Sequence, residues 1–573
     1  MLRCKFIKRK AGSVCCRLFY ICKKEFRLLR MSLAQPSPRE LGHSVVATLI
    51  RFFPKRLENG RFVCYHITKS DPCRKKQYRR KSTVDYRTYF EGFTALDDER
   101  YIQFVPNAEA EDFLLQNAPR LYCPDKTIER IFAFRTWTLR KHIKQTPVGL
   151  VLTEFLPPVP WAGIYNTINA PLFHHLNELR WFRNAGDFLS YIDLFLNGEG
   201  RKYAYHTPAL TAICDFCLAT GHSSYLKENI ESLERYFDGW EERHHTENGL
   251  YWSIDDNEAT EYSISGTFPN LSRSKGLRPL FNGCMYGDAI TLSKIEASLG
   301  RHEKATHYAE VAARIKKLMD EKMWDGTFYK AIHPADRNVD KPLTVKDIPE
   351  ECNARELMSY VPWIYAMPDS DKCGCFAYLK DERVFLAKTG WATAEVTHPR
   401  FLYPANQHEC LWNGYVWPFA TSLTISAAIR LLKDYDQEVF TYDDLYNAIL
   451  TYANMHTITD EKGTHPFIDE VMHPFAYRWT AREILEERLA RDGKGIKDRG
   501  KDYNHSTFID LVLRGILGID PLADRPTIRK EILEKWNYFR LENLPFKGKT
   551  YTIIYDKTGT VYSSGAGLQI IEE

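Results

Sequence analysis

The chain of 573 residues contains no run of eighteen apolar residues, so no segment of it reads as a membrane-spanning helix. The stretch Leu18-Phe19-Tyr20-Ile21-Cys22 is too short and too late for the apolar core of a signal peptide. Fourteen cysteines are present. Cys214-x-x-Cys217 and Cys373-Gly374-Cys375 both lack a second Cys or His pair at zinc-ligand spacing, so no structural zinc is expected. Without an export signal, these thiols read as reduced in a cytosol-like compartment. There is no oxygen-rich loop of EF-hand type and no strict short repeat, which removes a calcium-sensor module and a short-period solenoid. No cofactor is expected.

Charge of one sign is scarce over most of the chain. The net charge is +4, yet residues 1–31 carry ten basic side chains against the single acid Glu25, a local +9, leaving −5 for everything after Met31. A mildly acidic body argues against nucleic acid as a partner. The basic run Arg74-Lys75-Lys76-Gln77-Tyr78-Arg79-Arg80-Lys81 reads as a solvated loop. The basic start leaves a transit peptide open beside the cytoplasmic expectation, although it has few serines and no clear amphipathic face.

Aromatic residues are abundant, with 33 Tyr, 32 Phe and 12 Trp making 13% of the chain. Such rings fill cores, and they also supply flat apolar faces with polar edges that suit sugars. Residues 1–44 read as a tail and 45–130 as a small irregular cap holding the strand-like runs 44–50 and 61–65. From 131 to 520 apolar residues recur at helical spacing. Met285, Ala289, Leu292, Ile295 and Leu299 form one stripe, Gly300 ends it, and Ala305, Tyr308, Ala309, Ala312, Ile315 and Met319 form the next. Similar hairpins are predicted at 171–198 and 205–239, by pairing 356–366 with 418–433, and by pairing 442–455 with 477–490. A last helix is expected at 504–518. This many helical hairpins with long aromatic-rich loops fit a closed ring of helices. Residues 521–573 turn to strand patterning, Tyr551-Thr552-Ile553-Ile554-Tyr555 above all, and form a β extension.

Polar chemistry concentrates in the loops. Residues 161–169 hold Trp161, Asn166 and Asn169; residues 252–263 hold Asp255, Asp256, Glu258 and Glu261; residues 408–418 hold Trp412, Asn413, Gly414 and Trp417; residues 465–474 hold the pair Asp469-Glu470 in apolar company. Carboxyls in apolar surroundings have raised pKa values, as a general acid requires. Two carboxylate loops and two Trp/Asn loops are the parts needed to hydrolyse a glycosidic bond.

In order, Pro157-Pro158-Val159-Pro160-Trp161-Ala162-Gly163, Glu261-Tyr262-Ser263-Ile264-Ser265, Arg278-Pro279, Met285-Tyr286-Gly287-Asp288-Ala289, Tyr360-Val361-Pro362-Trp363, the Trp412 to Pro418 motif, Asp469-Glu470 and Asp502-Tyr503-Asn504-His505-Ser506 carry a resemblance. Over about 131–520 the chain resembles glycoside hydrolases with an (α/α)6 toroid, a group including trehalases and processing-type α-glucosidases, and among them the mannosylglycerate hydrolase-like domain. The resemblance implies an inverting hydrolase acting on an α-linked glucose- or mannose-containing oligosaccharide or glycoside. It implies Glu261 as the acid, where the family often has Asp, and Glu470 as the base. Asp255, Asp256 and Glu258 are rival acids and Asp469 a rival base. Trp161, Asn166, Arg278, Trp412, Asn413, Gly414 and Trp417 are the candidate sugar-binding residues, with Asp288 expected to orient Arg278 or cap a helix, and His505 expected to be packed.

Two other readings remain at this stage. An epimerase or lyase on the same ring needs His408, His465, His473 and His505 to converge; a carbohydrate-binding protein with a degenerate site needs no turnover at all.

Overall fold

The computed structural model describes residues 85–267, 273–404, 408–496 and 498–573. The tail, the strand-like runs 44–50 and 61–65, and the basic run from Arg74 lie outside the described residues.

Among the described residues, twelve helical segments build the ring as six hairpins. The second members are Leu172–Leu179, Ala209–Ala219, Pro279–Ser298, Leu357–Tyr365, Pro418–Asp434 and the stretch Phe508–Ile516. Each packs against the next, and Phe508–Asp510 returns to touch Leu172–Leu179, so these six close a ring. The first members are Lys126–Lys141, Leu189–Leu196, Ile230–His244, His302–Lys322, Ser370–Lys380 and Tyr442–Met455. The sequence pattern accounts for this division. Pro418–Asp434 is apolar on every side and is buried throughout most of its length. His302–Lys322 buries only the stripe Ala305, Tyr308, Val311, Ala312, Ile315 and Met319 and turns its charged residues outward. Gly300, at φ 74°, makes the tight turn from the ring helix Pro279–Ser298 into His302–Lys322.

Several boundaries differ from the expected ones. Residues 357–365 form a tight 3₁₀ segment containing Pro362, which cannot donate into an α-helical ladder. The segment Leu511–Ile516 widens into a π-helix. Tyr442–Met455 packs on Pro418–Asp434 and Leu511–Ile516, while Thr480–Asp492, its expected partner, belongs to the long connection of the last hairpin. The described part of the expected irregular cap is regular: helices Tyr86–Leu96 and Asn107–Asn117, then a strand Arg120–Tyr122. That strand is the edge of a four-stranded antiparallel sheet whose other strands, Tyr538–Phe546, Lys549–Asp556 and Gly567–Glu572, are the C-terminal extension.

Connections into the ring helices are long (142–171, 197–208, 245–278, 323–356, 381–417, 456–507), and several of those out of them are only a few residues (299–301, 366–369, 435–441). The long ones therefore gather at the N-terminal ends of the ring helices. No described helix is long and apolar enough to cross a membrane.

Candidate active site

The long connections enclose a cavity of about 330 Å³. Its wall takes Glu154, Phe155 and Trp161 from the first connection, Tyr205 from the second, Asp255, Asp256, Glu261 and Tyr262 from the third. Further round, His408, Glu409, Cys410 and Trp417 enter from the fifth and Glu470, Arg499, Tyr503 and His505 from the last.

Glu261 sits on a loop bent twice through the left-handed region, at Ala259 (φ 53°) and Tyr262 (φ 61°). The Tyr262 N–H donates to Asp255 Oδ2 at 3.0 Å, and the Thr260 N–H to the Asp255 carbonyl at 3.0 Å. Arg278 staples the same loop. Its guanidinium bonds Glu258 Oε2 at 2.6 Å, Ser265 Oγ at 3.0 Å, Thr260 Oγ1 at 3.1 Å and Ser263 Oγ at 3.3 Å. Among the described residues, no cation pairs with Glu261. Burial pushes its carboxyl up to about 8, and the negative charges of Asp256, Asp255 and Glu470 push the same way. It is protonated at neutral pH.

Glu470 lies in a different setting. Arg499 donates from both Nε, at 3.2 Å, and Nη2 to the one oxygen Oε2, so Oε1 takes no part in the pair. Burial raises the Glu470 pKa and Arg499 opposes it. Arg499 also donates from Nη1 to Glu409 Oε1 at 2.6 Å, while Arg488 holds Glu409 Oε2 at 2.7 Å. Burial would raise Glu409, but Arg499 outweighs it and leaves that carboxyl at about 2. Asp469 turns away behind Glu470: its Oδ1 accepts the Glu470 N–H at 2.8 Å, and burial raises it to about 7.

Of the nine residues assigned catalytic or sugar-binding roles from sequence, Glu261, Glu470, Trp161 and Trp417 meet at the cavity, where the rival acids Asp255 and Asp256 also line the wall. The other five lie outside its lining. Asn166 ties its own loop together, accepting from the Val159 N–H at 3.0 Å and donating to the Phe155 and Pro157 carbonyls. Arg278 is consumed by the staple just described. Trp412 is buried and stacks under Trp417 with ring centres 4.5 Å apart, and its backbone N–H donates to the Glu261 carbonyl at 3.2 Å. Asn413 donates to the Tyr403 carbonyl at 2.7 Å. Gly414, at φ 130°, lies against the Phe401 ring where a Cβ has no room. These five hold loops, and Trp412 and Asn166 back the cavity wall from behind without lining it. Asp288 caps Ala209–Ala219, accepting from the Thr211 N–H at 3.2 Å. His408 and His505 reach the cavity; His465 and His473 do not line it.

Sequence reasoning missed Glu154, Arg499 and Tyr205. Glu154 had one legible signal, a lone carboxylate inside the apolar run Thr153-Glu154-Phe155-Leu156 just ahead of Pro157-Pro158. Arg499 had none, since it falls in a charged stretch that reads as solvent-exposed. Among the described residues, no group of three or more His, Cys, Asp or Glu side chains is arranged to hold a metal ion.

A six-hairpin helical fold with paired carboxyls in a cavity at one end of its ring helices defines the glycoside hydrolase class. Residues 164–506 match the model of the mannosylglycerate hydrolase MGH1-like glycoside hydrolase domain, and the chain belongs to that family. A solved structure titled sialidase is similar over 86% of the chain at 30% identity, with a TM-score of 0.75; the chain spans 43% of its length. A GH78 family rhamnosidase of Bacillus sp. GL1 covers 77% of the chain, and the chain 40% of it, at 12% identity and a TM-score of 0.46. The GH63 mannosylglycerate hydrolase from Thermus thermophilus in complex with glucose covers 66% of the chain, and the chain 99% of it, at 11% identity and a TM-score of 0.42.

Proposed function

We propose that the protein is an inverting glycosidase that cleaves an α-linked glucose- or mannose-containing glycoside, with Glu261 as general acid and Glu470 as general base. The observation that carries this reading is the contrast between two carboxyls on one cavity. Glu261 has no paired cation among the described residues and keeps its proton at pH 7; Glu470 is tied to Arg499 through a single oxygen.

In this mechanism Glu261 gives its proton to the glycosidic oxygen as the bond from the anomeric carbon breaks. Glu470 Oε1 takes a proton from a water whose oxygen attacks that carbon from the opposite face. An inverting pair needs its carboxyls about 6.5–9.5 Å apart to admit the water. Trp417, stiffened by Trp412 beneath it, and Trp161, 37% exposed, offer ring faces for sugar stacking.

Glu261→Gln and Glu470→Gln should each leave the fold intact and lower kcat by about 10²–10⁴-fold, because only proton transfer is removed. Circular dichroism and steady-state kinetics on a panel of α-linked disaccharides and glycosylglycerates check this. Full turnover in either variant would refute the assignment. NMR of the first-formed anomer checks inversion, the expected product being the β-anomer.

A further inference from the structure

The inner wall of the cavity holds a polar pair that acid and base catalysis leaves unused. Glu154 is 6% exposed and His505 1% exposed. Their facing atoms, Glu154 Oε1 and His505 Nε2, stand 3.4 Å apart. Among the described residues, His505 Nε2 has no hydrogen-bond partner, and it faces the Glu154 carboxyl. Buried polar atoms are ordinarily satisfied, so a nitrogen left open on the cavity wall beside a carboxyl marks a place where a ligand's polar groups complete the bonding. The pair is also held rigidly. The Asn504 N–H donates to the Glu154 carbonyl at 3.4 Å, the Asn504 side-chain amide donates to the Thr153 carbonyl at 3.2 Å, and the Tyr503 hydroxyl bonds His505 Nδ1.

The charge of the wall narrows the ligand. Carboxyls from Glu154, Asp255, Glu261 and Glu470 face the cavity. Of the two arginines that line it, Arg499 is committed to Glu470 and Glu409, and Arg273 is paired with Asp256 at an exposed position. No lysine is among the described lining residues.

We propose that Glu154 and His505 form the hydroxyl-recognition subsite for the glycon, and that this subsite takes an uncharged sugar ring. The inference rests on the glycosidase reading for the word glycon, but not for sugar binding itself. Burial holds the Glu154 carboxyl well above its ordinary pKa, and the charges of Glu470 and Glu261 add to this, so both favour its neutral form. A neutral carboxyl donates through its O–H and accepts through its C=O, the complement of two adjacent sugar hydroxyls. A sugar carboxylate, as in uronic or sialic acids, would enter among carboxyls with no uncommitted cation to meet it among the described residues.

The test is binding of monosaccharides to the full chain, by calorimetry or saturation-transfer NMR. The ligands are glucose, mannose, galactose and rhamnose against glucuronate and N-acetylneuraminate, and the proteins are wild type, Glu154→Gln and Glu154→Leu, each checked by circular dichroism. At least one neutral sugar should bind, at least ~10-fold more tightly than either acidic sugar. Glu154→Gln, which keeps a donor and an acceptor without charge, should stay within ~3-fold of wild type. Glu154→Leu should lose at least ~10-fold in affinity, as expected for lost buried hydrogen bonds. Equal or tighter binding of an acidic sugar, unchanged affinity in Glu154→Leu, a loss in Glu154→Gln as large as in Glu154→Leu, or no neutral sugar bound at all would each overturn the proposal. If Glu154→Leu does not fold, the sugar panel and Glu154→Gln still decide. Sugar binding with no hydrolysis by wild type would refute the glycosidase reading and leave the subsite standing.

Discussion

Glu261 is neutral at pH 7 because water is excluded around it and three neighbouring carboxyls add to that effect. The alkaline limb of the pH–activity profile should therefore lie near pH 8. Asp256 is the largest of the charge contributions, so Asp256→Asn should move that limb to lower pH, measured as kcat/KM from pH 5 to 10. The same pKa has a consequence for stability. A carboxyl whose pKa rises from 4.5 to about 8 on folding favours the folded state fully below pH 4.5, and this contribution is lost as pH climbs through 8. Glu261→Gln should accordingly have a higher Tm than wild type at pH 9 and little advantage at pH 4, read by thermal melts at both. At this scale the sequence was informative where chemistry and local pattern coincide. Glu261, Glu470, Trp161 and Trp417 all sit in loops dense in acids or rings and all reach the cavity. Arg499 was illegible because its role arises from Glu409 and Glu470, which lie 90 and 29 positions away.

At the scale of elements, the polar loop residues read as sugar ligands turn out to position other residues. Asn166 and Arg278 have their polar atoms turned to backbone and neighbouring side chains, and Asn413 gives its side-chain N–H to the Tyr403 carbonyl. Residue type signals hydrogen-bonding capacity, but not whether the partner is a ligand or the chain itself, and this is why these three could not be sorted from sequence. Arg278 carries the clearest prediction. It joins Glu258, Thr260, Ser263 and Ser265 around the loop that presents Glu261, and Glu258 in turn accepts the Phe281 N–H at 3.2 Å. Arg278→Ala leaves Glu258 buried and unpaired and should cost roughly 3–5 kcal/mol. Arg278→Lys keeps the charge but cannot make the fork of bonds, so it should retain more stability than the alanine variant while still losing activity. Denaturant melts together with kcat separate the two effects. The helix Tyr442–Met455 gives a simpler case: Thr441 and Asp444 cap it reciprocally, and Thr441→Ala should lose about 1 kcal/mol in the same melts.

Over the whole molecule, helical periodicity identified the ring, and strand patterning identified the C-terminal extension. Neither disclosed that Arg120–Tyr122 joins that extension, since three residues are too short to carry a period. Leu121 pairs with Leu541, and both are fully buried. A chain truncated before Tyr538 leaves Leu121 and Tyr122 uncovered and the Arg120–Tyr122 backbone unpaired. It should melt well below the full chain or fail to remain soluble, as scanning calorimetry would report.

Closure of the ring depends on Phe508–Asp510 reaching Leu172–Leu179, and the neighbouring sheet depends on strands more than 400 positions apart in the chain. On a ribosome, the first five hairpins emerge with an open seam and the final contacts wait for the last segment to be made. The chain should therefore acquire protease resistance late and in one step, with little of it gained by nascent fragments that end before residue 508.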